Sequence, residues 1–174
     1  LPGGAAIGDR LTLSDDSNNV VASVDLTQAM VTASSATLGP DADLAEGSYT
    51  LSATLEDIAG NVSTAGSALS LTVDLTAPYA PRISGFSPDS GRLDSDGITK
   101  DNGFTVTGTA EANVDIELFN GDALVGSTAA DGNGDWSFDT STLGSALADG
   151  DYSLKAYAVD AVGNRSDSSP SLGV

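Results

Sequence analysis

The sequence predicts an all-β chain folded as two antiparallel sandwiches in tandem. Two observations carry this: a long internal repeat and period-two alternation of apolar residues along most of the chain. Leu44–Ser63 aligns without a gap on Leu147–Ser166, 103 residues later, with ten of the twenty positions identical. A period near 100 is too long for a solenoid and fits domains that each close their own core. No segment shows a convincing helical period, and each apolar run stops at a Gly, Asp or Asn cluster, as short strands do.

The first domain is expected over residues 1–77. Tyr49, Leu51, Ala53 and Leu55 alternate with Thr50, Ser52 and Thr54, which marks one inward row; Leu69, Leu71 and Val73 make another. Ala5–Leu13 aligns on Ala110–Leu118, and nothing ahead of it matches Ile83–Gly108. This domain is therefore expected to lack its first strand, as a truncated or split copy. It should show an open sheet edge or borrow a strand from another copy, since exposed edges template pairing. Leu1 falls in mid-pattern with no initiator Met, as expected for a piece of a longer protein.

Asp74-Leu-Thr-Ala-Pro-Tyr-Ala-Pro81 is the expected linker, kept short and stiff by two prolines. The second domain, over residues 78–174, should be a complete sandwich. Val114, Ile116 and Leu118 point inward against Asp115 and Glu117, and Asn120-Gly121 is a two-residue hairpin signal. Asp131-Gly-Asn-Gly-Asp135 reads as a hairpin tip leading into Trp136-Ser-Phe138. Tyr152, Leu154, Ala156 and Ala158 repeat the first domain's inward row. Trp136 and Tyr152 are expected in the core.

Composition narrows the function. The chain has 25 acidic residues against 6 basic ones, a net charge of −19, with Asp dominating the acids. Asp concentrates in turns and cation sites, so the charge belongs to the loops. A polyanion repels nucleic acid and anionic lipid. With no cysteine or histidine, thiolate and imidazole metal sites are excluded, as are catalytic triads built on them. No apolar run approaches the roughly 20 residues of a membrane helix, so no membrane insertion is expected in this segment. The low aromatic content gives little from which to build the desolvated cleft of a glycosidase, and the chain is read as a non-enzyme.

Hard-cation sites built from oxygen remain. The candidates are Asp57 and Asn61 in Asp-Ile-Ala-Gly-Asn, their twins Asp160 and Asn164, Asp74 before the linker, and Asp89, Asp94, Asp96 and Asp101 opening the second domain. Asp-x-x-Gly-Asn is also good turn chemistry by itself, which suffices for Asp131 and Asp135. The turn following the penultimate strand is expected to face the next domain. That would gather Asp57, Asn61 and Asp74 with the acids of the second domain at one junction. Such crowding favours Ca²⁺, which takes six to eight oxygen ligands. Asp94-Ser-Asp96-Gly97 opens like an EF-hand loop but has no Glu at the twelfth position. Asp160 and Asn164, with no domain following them here, are expected to form an empty or half-built site. Asn61-Val-Ser63 and Asn164-Arg-Ser166 match the glycosylation acceptor only by lying in the repeated turn.

Val-Asp-Leu-Thr-Ala-Pro78, Thr-Val-Thr-Gly-Thr-Ala-Glu-Ala-Asn113, Gly-Asn-Gly-Asp-Trp-Ser-Phe138, Leu-Ala-Asp-Gly-Asp-Tyr-Ser-Leu154 and Asp-Ala-Val-Gly-Asn-Arg-Ser166 resemble bacterial Ig-like domains. These are the extender modules of giant type I-secreted adhesins of the RTX class and of biofilm-associated proteins. The resemblance implies tandem Ig-like β-sandwiches in a secreted, cell-surface stalk of an outer-membrane-associated adhesin. Ca²⁺ would stiffen that stalk, the partners would be neighbouring repeats, and a distant tip would hold a host or surface ligand. By the same resemblance Asp57, Asn61 and Asp74 would join Asp89 and Asp101 in holding linker calcium. The rival readings are a module that itself binds glycan, protein or ice, and half of a split domain framing an inserted module. A binding module needs an open aromatic or apolar patch. Outward-facing Phe119 and Tyr157 are the candidates.

Overall fold

The computed structural model describes every residue except Pro2 and Ala146. It comprises two compact units, Leu1–Leu75 and Thr76–Val174.

Unit one holds strands β1 (Arg10–Ser14), β2 (Val20–Asp25), β3 (Gly47–Glu56) and β4 (Leu69–Val73), with a six-residue helix, α1 (Gln28–Ala33), after β2. The strands form one antiparallel sheet in the order β2-β1-β3-β4. Leu11 pairs with Leu55 and Leu13 with Ala53, while Tyr49 pairs with Leu71 and Leu51 with Leu69. Paired residues share a face, so the two inward rows read from the sequence lie on the same side of this sheet.

Unit two holds β5 (Arg82–Ser87), β6 (Thr105–Thr109), β7 (Asp115–Asn120), β8 (Ala123–Ala129), β9 (Asp135–Asp139), a 3₁₀ turn (Thr140–Thr142), β10 (Ser153–Val159) and β11 (Leu172–Gly173). They form two sheets, β11-β10-β7-β8 and β5-β6-β9, a two-layer antiparallel sandwich. Ile116, Leu118, Leu154, Ala156 and Ala158 project from the first sheet, and Val106, Trp136 and Phe138 from the second, into one core. Trp136 is buried as expected, whereas Tyr152 is half-buried at the core's edge.

Two glycines make room for the large aromatics. A Cβ on Gly108 would lie 2.1 Å from the Arg82 carbonyl oxygen and 2.3 Å from the Trp136 ring. One on Gly126 would lie 2.4 Å from the Phe138 ring. Gly108 is paired with Trp136 across β6 and β9, so the indole lies over its neighbour's missing side chain. Both units also carry a tyrosine corner. Tyr49 Oη donates to the Ala45 carbonyl at 2.8 Å, and Tyr152 Oη to that of Ala148 at 2.7 Å.

The units differ in their second layer. Strand for strand, β2-β1-β3-β4 matches β8-β7-β10-β11. Among the described residues unit one has no counterpart of β5, β6 or β9, so the deficit is a whole layer rather than the single strand expected. Thr37-Leu-Gly39 aligns on Thr142-Leu-Gly144, which places Val31–Ala33 opposite Trp136–Phe138. That stretch is helical, where no helix was expected. Thr27 caps it, its Oγ1 accepting from Met30 N at 3.4 Å, and Ser34 ends it in the left-handed conformation. None of its residues is buried.

Gly108→Ala should destabilise unit two by about 1–3 kcal/mol through overpacking against backbone and indole. Gly132→Ala, with open space around the added methyl, should stay within about 0.5 kcal/mol. Denaturant unfolding followed by Trp136 fluorescence reads both.

Candidate functional site

The acidic residues sort first by the turns they build. Asp57 Oδ1 accepts from the backbone N–H groups of Ala59 at 2.9 Å and Asn61 at 2.8 Å, and Oδ2 accepts from Asn61 Nδ2 at 2.8 Å. Asp160 Oδ1 accepts from Val162 N, Gly163 N and Asn164 N at 2.8–2.9 Å, and Oδ2 from Asn164 Nδ2 at 2.8 Å. Two further turns repeat the plan. Asp15 Oδ1 accepts from Ser17 N and Asn19 N and Oδ2 from Asn19 Nδ2; Asp131 Oδ1 accepts from Asn133 N and Asp135 N.

All four turns close the same way. The first residue's N–H donates to the fifth residue's carbonyl, and the fourth residue's N–H donates back to the first residue's carbonyl. That fourth residue has positive φ, at Asn18, Gly60, Gly134 and Gly163. Only glycine or asparagine takes this conformation readily, which explains the spacing. Asp57 and Asp160, expected as cation ligands, therefore have the same surroundings as Asp131, expected as a turn residue. The Asp15 turn was not singled out from the sequence; its signal was Asp-x-Ser-Asn-Asn between two alternating runs.

These hydrogen bonds favour the ionised carboxylate. The Asn19 side chain and backbone lower the pKa of Asp15, Asn61 does the same for Asp57, and the Asn133 and Asp135 amides do so for Asp131. For Asp160 burial pushes upward, and the donors from Asn164, Val162 and Gly163 together outweigh it.

A serine completes each repeated turn. Ser63 N donates to the Leu55 carbonyl while Ser63 Oγ accepts from Leu55 N at 3.0 Å. Ser166 does the same with Ala158, its Oγ accepting at 2.9 Å. Sequence reasoning gave these serines no role, although both are identical across the repeat.

The expected gathering of acids at one junction does not follow from the topology. β3 and β4 are antiparallel with Gly47 opposite Val73. Asp74 thus leaves one end of the sheet, while Asp57 and Asn61 lie beyond the other end, about 30 Å of strand away. A turn between two antiparallel strands must lie opposite the end where the second strand finishes. In unit two, Asn164 Nδ2 donates to the Thr76 carbonyl at 3.4 Å, so the Asp160–Asn164 turn lies at the Thr76 end. The acidic loop between β5 and β6 lies at the Val174 end. There Leu147 N donates to the Asn102 carbonyl at 3.3 Å, and Gly97 approaches the Gly173 carbonyl. Asp57 with Asn61 and Asp74 occupy opposite ends of unit one, and Asp160 with Asn164 is separated in the same way from Asp89, Asp94, Asp96 and Asp101 in unit two.

Within that loop Asp89 Oδ2 accepts from Gly97 N at 3.1 Å, and Asp96 Oδ1 from Ile98 N at 3.1 Å. Asp101 Oδ2 accepts from Ser90 Oγ. Asp94 is exposed. Asp89 Oδ1 is buried without a hydrogen-bond partner. A buried carboxylate oxygen with no donor is costly, and a hard cation is one way to satisfy it. Among the described residues, no three or more carboxylates stand in metal-holding geometry. An open cleft of about 340 Å³ beside the loop is lined by Lys100, Asp101, Phe104, Asp149, Asp151 and Tyr152.

The outer face of β7 and β10 carries the outward aromatics. Phe119 and Tyr157 meet edge to face at 5.4 Å. The Arg165 guanidinium lies 3.7 Å from the Tyr157 ring centroid and 5.0 Å from that of Phe119. Arg165 Nε is held by Glu117 Oε2 at 2.9 Å. The stack is satisfied within its own sheet.

The sequence pattern of the bacterial Ig-like domain matches residues 7–75 and 79–174. Among solved structures, the fibronectin(III)-like modules of CbhA from Clostridium thermocellum are 12% identical, with 97% of this chain and 79% of theirs covered and a TM-score of 0.54. The BSP domain of a biofilm associated protein is 14% identical over 100% of this chain and 26% of its own, with a TM-score of 0.40. A tetra-tandem repeat from the extending region of a large adhesion protein is 24% identical over 97% of this chain and 42% of its own, with a TM-score of 0.33. At 12% identity the likeness to the CbhA modules is one of fold alone. No curated protein matches the chain.

A lowered carboxylate pKa contributes stability that is fully present above the ordinary range near 4 and lost as pH falls through the lowered value. Without histidine, no side chain with an ordinary pKa titrates between about pH 5 and 8. In metal-free buffer, melting temperature should be flat across that window and fall only below about pH 4. Asp160→Ala should lower it by the same amount in EDTA as in Ca²⁺, because the carboxylate serves its own turn. A loss seen only in Ca²⁺ would identify it as a ligand instead.

Proposed function

Because the chain belongs to the bacterial Ig-like domain family, we propose that it is a structural extender, a run of repeats within a large bacterial surface adhesin. It would hold a distant ligand-binding tip away from the cell in adhesion and biofilm formation, with neighbouring repeats of the same polypeptide as its partners. The reading is of a secreted, cell-surface protein of the RTX type with no catalytic role.

One observation carries this reading: what the two copies share serves their own backbones. Of the ten identical positions, Tyr49 and Tyr152 lock corners onto the Ala45 and Ala148 carbonyls, and Leu51 and Leu154 are buried. Asp, Gly and Asn build the Asp57 and Asp160 turns, and Ser63 and Ser166 close them. The outer surface is not shared. Glu117, Phe119, Tyr157 and Arg165 correspond to Thr12, Ser14, Thr54 and Val62. A repeat that keeps its frame and varies its surface is what a spacer requires. The rival binding-module reading needs an open aromatic platform, and the Arg165 stack covers this one.

Ca²⁺ is proposed as the stiffening ion. The net charge of −19 makes the bare chain self-repelling, and the unpartnered Asp89 Oδ1 fits a hard cation in the β5–β6 loop, with Asp94, Asp96 and Asp101 as further oxygen donors. If free Ca²⁺ stands about 100-fold above Kd, each site adds about 2.7 kcal/mol of stability. Small-angle scattering and thermal unfolding with Ca²⁺ or EDTA test this. Ca²⁺ should raise the melting temperature, and Asp89→Ala should remove part of that rise. Profiles that ignore EDTA would remove calcium from the proposal, and a specific glycan or protein ligand for this segment would replace the spacer reading.

A further inference from the structure

Three Asn-Gly pairs occur in the sequence: Asn102-Gly103, Asn120-Gly121 and Asn133-Gly134. In such a pair no Cβ screens the glycine nitrogen, so that nitrogen can reach Cγ of the asparagine before it. The three differ in what their glycine N–H groups do. Gly121 N donates to the Ser153 carbonyl at 3.1 Å, and Asn120 Oδ1 accepts from Ser153 N at 2.9 Å. Both reacting groups of that pair are therefore held by the first residue of β10. Gly134 N donates to the Asp131 carbonyl at 3.0 Å inside its aspartate turn, and Asn133 N donates to Asp131 Oδ1 at 2.8 Å. Among the described residues neither the Gly103 N–H nor the Asn102 side chain has a hydrogen-bond partner.

Asn102 and Gly103 lie between two anchors. On one side Lys100 N donates to the Ser90 carbonyl at 3.0 Å, and Asp101 N to Thr99 Oγ1 at 3.2 Å. On the other, buried Phe104 donates its N–H to Thr140 Oγ1 at 2.9 Å. Asn102 is exposed and tied through its carbonyl, which accepts from Leu147 N at 3.3 Å. A backbone N–H with no protein acceptor is left to water, and its nitrogen turns to a neighbouring group without breaking a protein hydrogen bond.

We infer that Asn102 is a spontaneous modification site, converted to aspartate and isoaspartate by attack of the Gly103 nitrogen. The nitrogen bonds to Asn102 Cγ and gives its proton to water, while the Cγ–Nδ2 bond breaks and Nδ2 leaves as ammonia. The resulting five-membered imide is opened by water. Opening at Cγ restores the main chain with an aspartate. Opening at the main-chain carbonyl carbon leaves the chain running through the side chain, as isoaspartate. Nothing is oxidised or reduced; water is consumed and ammonia released.

The new carboxylate enters a crowded place. Asn102 lines the cleft beside the β5–β6 loop with Lys100, Asp101, Asp149 and Asp151, so the product adds like charge to a site already rich in it. An isoaspartate also adds a carbon to the main chain between Asp101 and the anchored Phe104. It turns the carbonyl that accepts from Leu147 into a free carboxylate. Neither effect depends on a bound cation.

The test incubates the whole chain in mildly alkaline buffer with EDTA, either folded or in concentrated urea. Peptide mass spectrometry and labelling by an isoaspartate-specific methyltransferase then read each site. In the folded chain Asn102 should convert at least about tenfold faster than Asn120 and Asn133, whose turns must first open. In urea the three rates should converge. Asn102→Gln should remove the early product and leave the slow ones unchanged; the folded and urea arms need no variant. Comparable rates at the three sites in the folded chain overturn the inference, as does an Asn102 that reacts only in urea. Rates that stay apart in urea assign the preference to neighbouring sequence and overturn the structural reading. Aspartate without isoaspartate at Asn102 also overturns it, since direct hydrolysis of the side-chain amide is then the route.

Discussion

A β-sheet with one apolar face must bury that face, and most of what distinguishes the two units follows from whether it does. In unit two the face carrying Ile116, Leu118 and Leu154 is capped by a second sheet, and the cap is seated by absences. Gly108 and Gly126 give up their side chains so that Trp136 and Phe138 can lie flat against the strands. In unit one the equivalent face has Ala22 and Leu51 buried but leaves Leu11, Leu13, Ala53 and Leu55 partly exposed. The segment aligned with β9 is a short, unburied helix.

The second organising device is the aspartate turn. Its carboxylate gathers two or three backbone N–H groups of its own loop, and the residue at the fourth position supplies the left-handed backbone. Among the described residues four such turns punctuate the chain, and in the two repeated ones a serine hydroxyl takes the place of a missing ladder partner beyond them. Asp rather than Glu stands at the head of each of these turns because the shorter side chain reaches its own loop amides. The turn also separates two roles that look alike in sequence. Asp57 and Asp160 are occupied by donors, whereas Asp89 retains a buried oxygen with none.

The outer surface shows how a repeated frame can be individualised at small cost. In unit two, Arg165 lies across Tyr157 and Phe119 and is anchored by Glu117; in unit one the equivalent positions are Val62, Thr54, Ser14 and Thr12. Stacking the guanidinium on both rings covers aromatic surface that would otherwise be open to solvent or to a ligand. The sheet beneath is indifferent to the exchange, because outward positions alternate with the core rows and touch none of them.

Sequence by itself determined the all-β class, the two-copy organisation, the inward rows and the turns. Each of these is local: alternation fixes which face a strand buries, and Asp-x-x-Gly-Asn supplies its own hydrogen-bond partners. It also pointed to the acidic residues as the candidate site. Only the tertiary structure decided which of them lie together. Strand direction carries Asp57 to the far end of β3 from Asp74, and places the Asp160 turn at the Thr76 end of unit two and the Asp89–Asp101 loop at the Val174 end. That separation depends on the order and sense of strands distant in sequence, which no spacing of aspartates records. The helix at Gln28–Ala33 was not legible either, because a six-residue segment is too short to show a helical period against the alternating runs around it.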